Sequence, residues 1–365
     1  MNILLEGIFY NGHGFAEGNR ILLRILDQAG FRVRIVPWDT NERKLVLDAD
    51  EAAYISSFEH TRLKSNDVYL YNFVGSSIRH RPEFRFTIAR TTFETDRIPA
   101  SWVPQLNQFD EVWVQSRFNI DTFTSSGVQV PLRHIPNFFD TGAFDVYTEP
   151  LRLPVAETFK FLSIFDLQLR KGYDVLLDAF LQEFSDKDDA ALIIKVRSDQ
   201  QLIKLLAYID DHPTLRERRP PVYIIDQMLH MRELLGLYKA CDAFVLPTRG
   251  EGWGRPYFEA MLMCMPVIAT NWSGHLDYMN EENAYLIDVD RLVRIKDSDF
   301  PMFNGHYWAN PSIKDLRAKM RHVYENREEA QSVGKRARED ILRSYDMRRV
   351  ADMVVEEIYK YAKLL

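Results

Sequence analysis

The sequence predicts an α/β protein built from two doubly wound, Rossmann-like domains facing a cleft. Three observations carry that expectation. Short apolar runs alternate with helix-period patterns over most of the 365 residues, which is how parallel sheets covered on both faces read. The alternation stops once, between Asp140 and Thr158, and then restarts. After about Pro311 it gives way to helical patterns alone.

The first series opens with NILLE, a strand at Asn2–Glu6, and continues with strands at Arg32–Val36, Val68–Phe73, Phe84–Arg90, Glu111–Gln115 and Arg133–Pro136. Each is a run of four to seven residues rich in β-branched and aromatic side chains, the length and composition of a buried strand. Asn19–Ala29 is the clearest helix between them. Asp140–Thr158 has two prolines, several turn formers and no period, and reads as an interdomain linker. The second series has strands at Phe159–Ile164, Ala191–Val196, Val222–Ile225, Ala243–Leu246 and Val267–Thr270, with helices such as Tyr173–Phe184 and Met231–Ala240 between them. Ser312–Asn326, Glu328–Ser344 and Met347–Leu365 then carry apolar residues three and four apart, the mark of amphipathic helices. Sheets of this kind bind ligands at the carboxyl ends of their strands, so the cleft is the expected site.

Composition narrows the class. Hydrophobic residues make up 46% and charged residues 27%, enough for large cores and incompatible with wholesale disorder. With a net charge of −7, non-specific attraction to nucleic acid or anionic lipid is not the expected working mode, which leaves room for a local basic patch. Cys241 and Cys264 lack CxxC spacing and read as buried thiols of a reducing compartment. The N-terminus has no basic start and no secretory apolar run. No window reaches the ~18–20 apolar residues of a membrane span. The expectation is a soluble, cytoplasmic protein.

Three loops after strands could handle a diphosphate. In NGHGFAEGNR, Asn11–Arg20, the glycines at 12, 14 and 18 miss the GxGxxG spacing because Glu17 stands where the third glycine should be. That disfavours a nicotinamide dehydrogenase. The loop is either a plain strand-to-helix turn or one whose backbone N–H groups meet an anion or a sugar. In DLQLRKGYDVLLDAF, Arg170, Lys171 and Gly172 stand at a helix N-terminus, where two cations and the positive end of the dipole converge. In RGEGWGRPYFEAM, Glu251 lies at the loop mouth, Gly252 and Gly254 let a backbone pass close to a ligand, and Pro256 opens a helix whose first turn holds Glu259. One acid reaches one end of a bound molecule and the other reaches about a turn away. A nucleotide sugar, a diphosphate with hydroxyls on both sides, fits all three loops.

EGWGRPYFEAM, with acids at Glu251 and Glu259, resembles the E-x7-E signature of family 4 retaining glycosyltransferases of GT-B fold. PVIATNWSGHLDYM resembles that family's P-V-I-A-T followed by a small-residue turn and an acid, here Ser273, Gly274 and Asp277. Arg170-Lys171-Gly172 matches its basic diphosphate site, and Phe93–Val128 is similar to a bacterial subgroup of unassigned specificity. Matches extend over most of the chain. The resemblance implies an N-terminal acceptor domain over 1–150, joined by a C-terminal helix at 347–365, and a nucleotide-sugar domain over 151–346. That helix carries Val350, Met353, Val354, Ile358 and Tyr359 on one stripe and would brace the first domain. The alternative, a helix lying on a membrane, is poorly served by Asp352, Glu356 and Glu357.

The implied reaction is retaining transfer of a hexosyl unit from a UDP- or GDP-linked sugar to a hydroxyl of a glycan or glycolipid, with no cofactor and no metal. Nucleic acid is not an expected partner, and peripheral membrane contact would come through the acceptor. The resemblance implies that Glu251 contacts the donor sugar, Glu259 the ribose, and Arg170 and Lys171 the diphosphate. Backbone amides of Gly252, Trp253 and Gly254 would cradle the donor, Gly12 and Gly14 would close over the diphosphate, and Gln227, Met228 and Leu229 would receive the base. Two departures stand out. Glu94, Thr95 and Asp96 occupy the place where relatives carry a donor-contacting histidine, so that role passes to an acid or disappears. Arg255 replaces an aliphatic residue and either supplements the cations at the phosphate or pairs with Glu94 or Asp96. The triplet Asp288-Val289-Asp290 resembles a metal-binding DxD but follows the E-x7-E unit in the wrong architecture. Two rival readings are a non-catalytic sugar-nucleotide-binding relative and a nucleotide-sugar epimerase.

Overall fold

A computed structural model describes residues 1–42, 47–196, 202–211, 220–296 and 298–363. The chain divides into two units, Met1–Thr141 with Ser344–Leu365, and Gly142–Arg343.

In unit 1, six parallel strands form one sheet: β1 Asn2–Gly7, β2 Arg32–Pro37, β3 Val68–Asn72, β4 Phe86–Thr91, β5 Glu111–Val114 and β6 Leu132–His134, in the order β2-β1-β3-β4-β5-β6. β1 and β3 are buried along their whole length, whereas the edge strand β2 alternates, with Arg32 and Arg34 exposed and Val33 and Ile35 buried. Central strands covered on both faces read as continuous apolar runs, and an edge keeps its charges. Helices α1 Gly14–Gln28, α2 Ala49–Ser57, α3 Val103–Leu106 and α4 Arg117–Ser125 complete the N-terminal part.

Two expectations change here. α1 starts at Gly14, earlier than Asn19, because His13 caps it: its Nδ1 accepts from the Phe15 amide at 3.3 Å and its carbonyl from the Ala16 amide at 2.8 Å. The last helix packs on α1 with Val350, Val354 and Ile358 in one core with Leu22, Leu23 and Leu26. Met353 and Tyr359 are 36% and 46% exposed, so the buried stripe repeats at steps of four, although the Tyr359 ring still meets Phe31 at 5.2 Å. Thr141, where the chain leaves the unit, bonds Asp346, where it returns: Thr141 Oγ1 lies 3.2 Å from Asp346 Oδ2 and accepts from the Met347 amide at 3.3 Å.

Unit 2 repeats the pattern with β7 Phe159–Ile164, β8 Ala190–Lys195, β9 Val222–Ile225, β10 Ala243–Leu246, β11 Val267–Thr270 and β12 Tyr285–Ile287, all parallel, ordered β12-β11-β10-β7-β8-β9. Its helices are α5 Tyr173–Glu183, α6 Leu202–Asp211, α7 Met231–Lys239, α8 Arg255–Leu262 and α9 Ile313–Glu325; α10 Arg327–Tyr345 runs out to the return crossing and α11 Met347–Ala362 belongs to unit 1. Leu364 and Leu365, expected in that last helix, lie outside the described residues. An antiparallel pair, β13 Val289–Arg294 with β14 Tyr307–Pro311, interrupts the alternation. Sequence pattern hid β13 because it has no continuous buried face.

The units meet at Thr141/Gly142 and Arg343/Ser344 rather than at 150/151 and 346/347. Residues 142–150 go with unit 2 because Arg338 Nη1 donates to the Phe144 carbonyl at 3.2 Å, and the following Leu151 amide bonds the Gly236 carbonyl at 2.8 Å. Of the two thiols, Cys241 is buried and Cys264 only half-buried. Among the described residues no helix is long and apolar enough to cross a membrane.

Both sheets reverse their direction of winding at one place. In unit 1, β1 lies between β2 and β3; in unit 2, β7 lies between β8 and β10. At such a switch point the loops leaving neighbouring strands run to opposite faces and open a crevice at the carboxyl ends.

Candidate active site

At the switch point of unit 2, the loop leaving β7 makes one 3-10 turn, Leu169–Lys171, and reaches α5 through Gly172 at φ +70°. A Cβ at Gly172 would stand 2.0 Å from the Pro247 carbonyl oxygen. Only glycine allows both that left-handed turn and that contact, and the result is a loop pressed against the one leaving β10. Arg249 fastens the two. Its amide donates to the Arg170 carbonyl at 2.6 Å, its guanidinium donates to the Leu169 carbonyl at 2.6 Å, and it grips Asp174 through bonds of 2.8 and 2.7 Å. Such two-pronged pairs hold geometry as well as charge.

Glu251 Oε1 is the point of convergence. Lys171 Nζ donates to it at 2.6 Å, Thr248 Oγ1 lies 3.0 Å away and Arg170 Nη1 3.2 Å away. Arg170 also donates to the Gly250 carbonyl at 2.6 Å. Glu251 is only 5% exposed, which corrects its expected position at the loop mouth. Burial by itself would raise its carboxyl; the charges of Lys171 and Arg170 overcome that and hold it at about 2. Its backbone is fixed as well: the amide donates to Ser273 Oγ at 2.9 Å and the carbonyl accepts from the Gly274 amide at 2.9 Å. Ser273 adopts φ +87° and ψ −161°, a region that side chains avoid. Behind it His275 is buried, its Nε2 2.6 Å from the Thr270 carbonyl, and burial lowers its pKa.

The E-x7-E helix is close to expectation with two adjustments. Gly254, at φ +85°, caps α8, so Arg255 is its first residue and Pro256 its second. Glu259 therefore opens the second turn. Its Oε2 accepts from the Tyr238 hydroxyl at 3.0 Å, and its Oε1 lies 3.8 Å from Arg255 Nη2. Trp253 is buried against Tyr278 and Phe258, with ring centroids at 4.9 and 5.7 Å. The Tyr278 hydroxyl, 2.7 Å from the Trp253 carbonyl and 2.9 Å from that of Gly254, ties down the glycine loop. Gln227 and Met228 are exposed and Leu229 half-buried in the loop after β9, on the sheet's edge.

The remaining predicted residues belong to unit 1. Glu94 lies half-buried in the loop after β4. Gly14 is the first residue of α1, and Gly12 precedes its cap. The buried carboxylate of Asp39 already accepts from the amides of Phe9, Tyr10 and Asn11 at 2.8, 2.8 and 3.0 Å, and the His13 amide donates to Asn11 Oδ1 at 2.9 Å. Those four N–H groups are engaged within the protein. Thr248, Tyr238 and Asp39 carried no motif that would have singled them out, and Arg249 and His275 stood inside quoted stretches without an assigned role.

Among the described residues no cluster of three or more His, Cys, Asp or Glu side chains could hold a metal ion. Asp288, of the DxD triplet, uses its amide to bond Asp315 at 2.8 Å.

Residues 158–295, inside unit 2, match the family model for glycosyl transferases group 1. Unit 2 carries a glycosyl transferase group 1 domain. Two relatives match by sequence: the lipopolysaccharide core biosynthesis mannosyltransferase LpsB of Rhizobium meliloti, 27% identical over 146 residues, and the mannosylfructose-phosphate synthase of Agrobacterium fabrum, 27% identical over 152 residues. Each match covers 38% of this chain, with 40% of the first relative and 32% of the second, so the chain spans well under half of either. By structure, the chain is similar over its whole length to a sucrose-phosphate synthase from Thermosynechococcus elongatus, at TM-score 0.71 and 16% identity with all of both chains covered. It is likewise similar to HepE of Anabaena, solved with UDP and glucose, at TM-score 0.67 and 16% identity over 99% of this chain and 100% of that one. The fold of the chain is GT-B, with two Rossmann-like units.

Proposed function

We propose that the protein is a retaining, metal-independent hexosyltransferase that moves a sugar from a nucleoside diphosphate to an acceptor hydroxyl. The observation that carries this reading is the convergence of Lys171 and Arg170 on Glu251 at the switch point of unit 2, beside the N-terminus of α5. A diphosphate entering there would replace the Glu251 carboxylate as the acceptor for Lys171, and the released carboxylate would turn to the donor sugar's hydroxyls. One set of charges thus serves the empty and the loaded site.

As the bond from the anomeric carbon to the diphosphate oxygen breaks, negative charge grows on that oxygen, where the ammonium of Lys171 and the dipole of α5 stabilise it. The acceptor oxygen bonds the anomeric carbon from the same face, and its proton passes to the departing phosphate oxygen, so configuration is retained and charge balances. Side-chain cations supply the positive charge in this scheme, and no metal is invoked. Glu259 takes the ribose, the backbone amides of Gly252, Trp253 and Gly254 cradle the donor, and Gln227, Met228 and Leu229 receive the base. Gly12, Gly14 and Glu94 are assigned to the donor from unit 1, which also presents the acceptor, a glycan or glycolipid.

UDP-hexoses are the first donors to try, since HepE was solved with UDP and glucose and a sucrose-phosphate synthase shares the fold. Melting curves with UDP, GDP, ADP and their sugars test donor binding: at 100 times the dissociation constant, stability should rise by ~2.7 kcal/mol. Glu251→Gln should keep donor affinity within about tenfold and lose most of the transfer rate. Interconversion of the donor sugar without an acceptor would favour an epimerase instead, and tight donor binding with no turnover a binding protein. No shift with any nucleotide would overturn the reading.

A further inference from the structure

The switch point of unit 1, at β1 between β2 and β3, is built from aromatic side chains. A cavity of about 550 Å³ opens there, lined by Trp38, Ser76, Ser77, Ile78 and Arg79, within the ~300–1,000 Å³ of small-molecule sites. Trp38 follows the last residue of β2, and the Ser76–Arg79 segment follows β3, so both belong to loops at the carboxyl edge of the sheet.

Trp38 is unusually well held for an exposed residue. Its amide bonds the Gly7 carbonyl at 2.9 Å, its Nε1 donates to Glu6 Oε1 at 3.1 Å, and the rings of Tyr71 and Phe73 each lie 5.7 Å from the indole. Glu6 is itself buried and locked by Arg81, whose Nε donates to Oε2 at 2.8 Å. Burying a carboxylate is costly unless it is paired, yet here a buried acid and its arginine fix an indole that stays 37% exposed. A surface tryptophan needs no such support for stability. A flat, rigid face presented to a ligand does. Arg79, exposed in the same lining, differs from Arg81: among the described residues no carboxylate pairs with it.

We propose that this cavity is a saccharide subsite, in which one hexose ring lies on the Trp38 indole and an anionic group on that sugar, a carboxylate or a phosphate, pairs with Arg79. The C–H face of a pyranose is apolar and its rim is hydroxyl, which suits an indole beside the hydroxyls of Ser76 and Ser77. A guanidinium fork suits a carboxylate or phosphate better than a neutral hydroxyl. Assigning the occupant as the acceptor of sugar transfer rests on the reading above; the existence of the subsite does not.

The test is saturation-transfer NMR on the full chain without nucleotide, using methyl glucuronide, glucose 6-phosphate and methyl glucoside as probes. Both anionic sugars should bind and compete with each other, and methyl glucoside should bind at least about tenfold more weakly. Whichever anionic probe binds more tightly identifies the substituent. Arg79→Ala should erase the preference for charge, Trp38→Ala should abolish binding of all three, and Trp38→Phe should recover part of it in a chain of normal melting temperature. With a donor present, Trp38→Ala should raise the acceptor KM. Absence of binding by wild type at millimolar probe, equal binding of charged and neutral sugars, or undiminished binding by Trp38→Ala would each overturn the proposal. Probe binding without transfer from any nucleotide sugar would sink the transferase reading alone, and transfer without probe binding would sink the subsite alone.

Discussion

The two switch points share a topology and differ in everything a ligand would meet. In unit 2 the loops leaving β7 and β10 bring together two cations and a carboxylate around a left-handed glycine. In unit 1 strand β3 and the loops leaving β1, β2 and β3 bring together an indole, two further rings and a carboxylate that occupies three backbone amides. Both have glycines between a strand and a helix. The doubly wound sheet thus decides where a crevice opens, while glycine permits a close turn without saying what it holds. Side chains converging from loops distant in sequence decide whether the crevice suits a diphosphate or a sugar ring.

The sharpest way to break this contrast is Lys171→Ala. Its ammonium is the short-range donor at the charged switch point, and loss of one positioned donor to a developing oxyanion lowers turnover by about 10²–10³. Transfer should fall by that much, with weaker donor binding measured by calorimetry. Lys171→Arg should recover only part, because a planar fork does not replace a point charge held at 2.6 Å. Transfer within about tenfold of wild type in Lys171→Ala would remove the diphosphate from unit 2's crevice.

Asp39→Ala probes the other side of the comparison. Three amides of the first loop would lose their acceptor, and Phe9 and Tyr10 are buried. Stranding buried N–H groups costs about 1–3 kcal/mol each when water cannot reach them. A total loss of ~2–4 kcal/mol in urea denaturation is expected, allowing for partial solvation, with donor affinity changed far less. If instead stability held and donor binding vanished, the first loop would be a ligand site after all.

What could be read from sequence follows the range of the physics involved. Buried strands were legible because burial on both faces leaves continuous apolar runs, and β7, β10 and β11 fall at the expected residues. The acid pair at Glu251 and Glu259 was legible because its elements are local. The ion pair of Lys171 with Glu251 joins residues 80 positions apart, and no pattern in the chain says that a cation and an acid from different loops will meet. Asp39 was hidden for the same reason: an aspartate after a strand reads as a turn former until its three amides are seen. β13 was hidden because it lies mostly open to solvent, and Trp38 because one exposed tryptophan looks like any other until Glu6 is found behind it.

The smallest effect concerns acid. Burial disfavours the charged form of Glu251, yet Lys171 and Arg170 lower its pKa from the ordinary 4.5 to about 2. A carboxyl lowered on folding contributes stability that is whole above its unfolded value and is lost as pH falls through the window from about 4.5 to about 2. Between about pH 7 and about pH 4 this one group should withdraw about 1 kcal/mol, read as the difference between the wild-type and Glu251→Gln melting profiles. Other carboxylates titrate in both chains and cancel in that difference. In the Lys171→Ala background the same difference should shrink, because the charge that opposed burial is gone. A difference that stays flat down to about pH 3 would mean that the cations do not hold this carboxylate in solution, and the contrast between a charged and an aromatic switch point would lose its central contact.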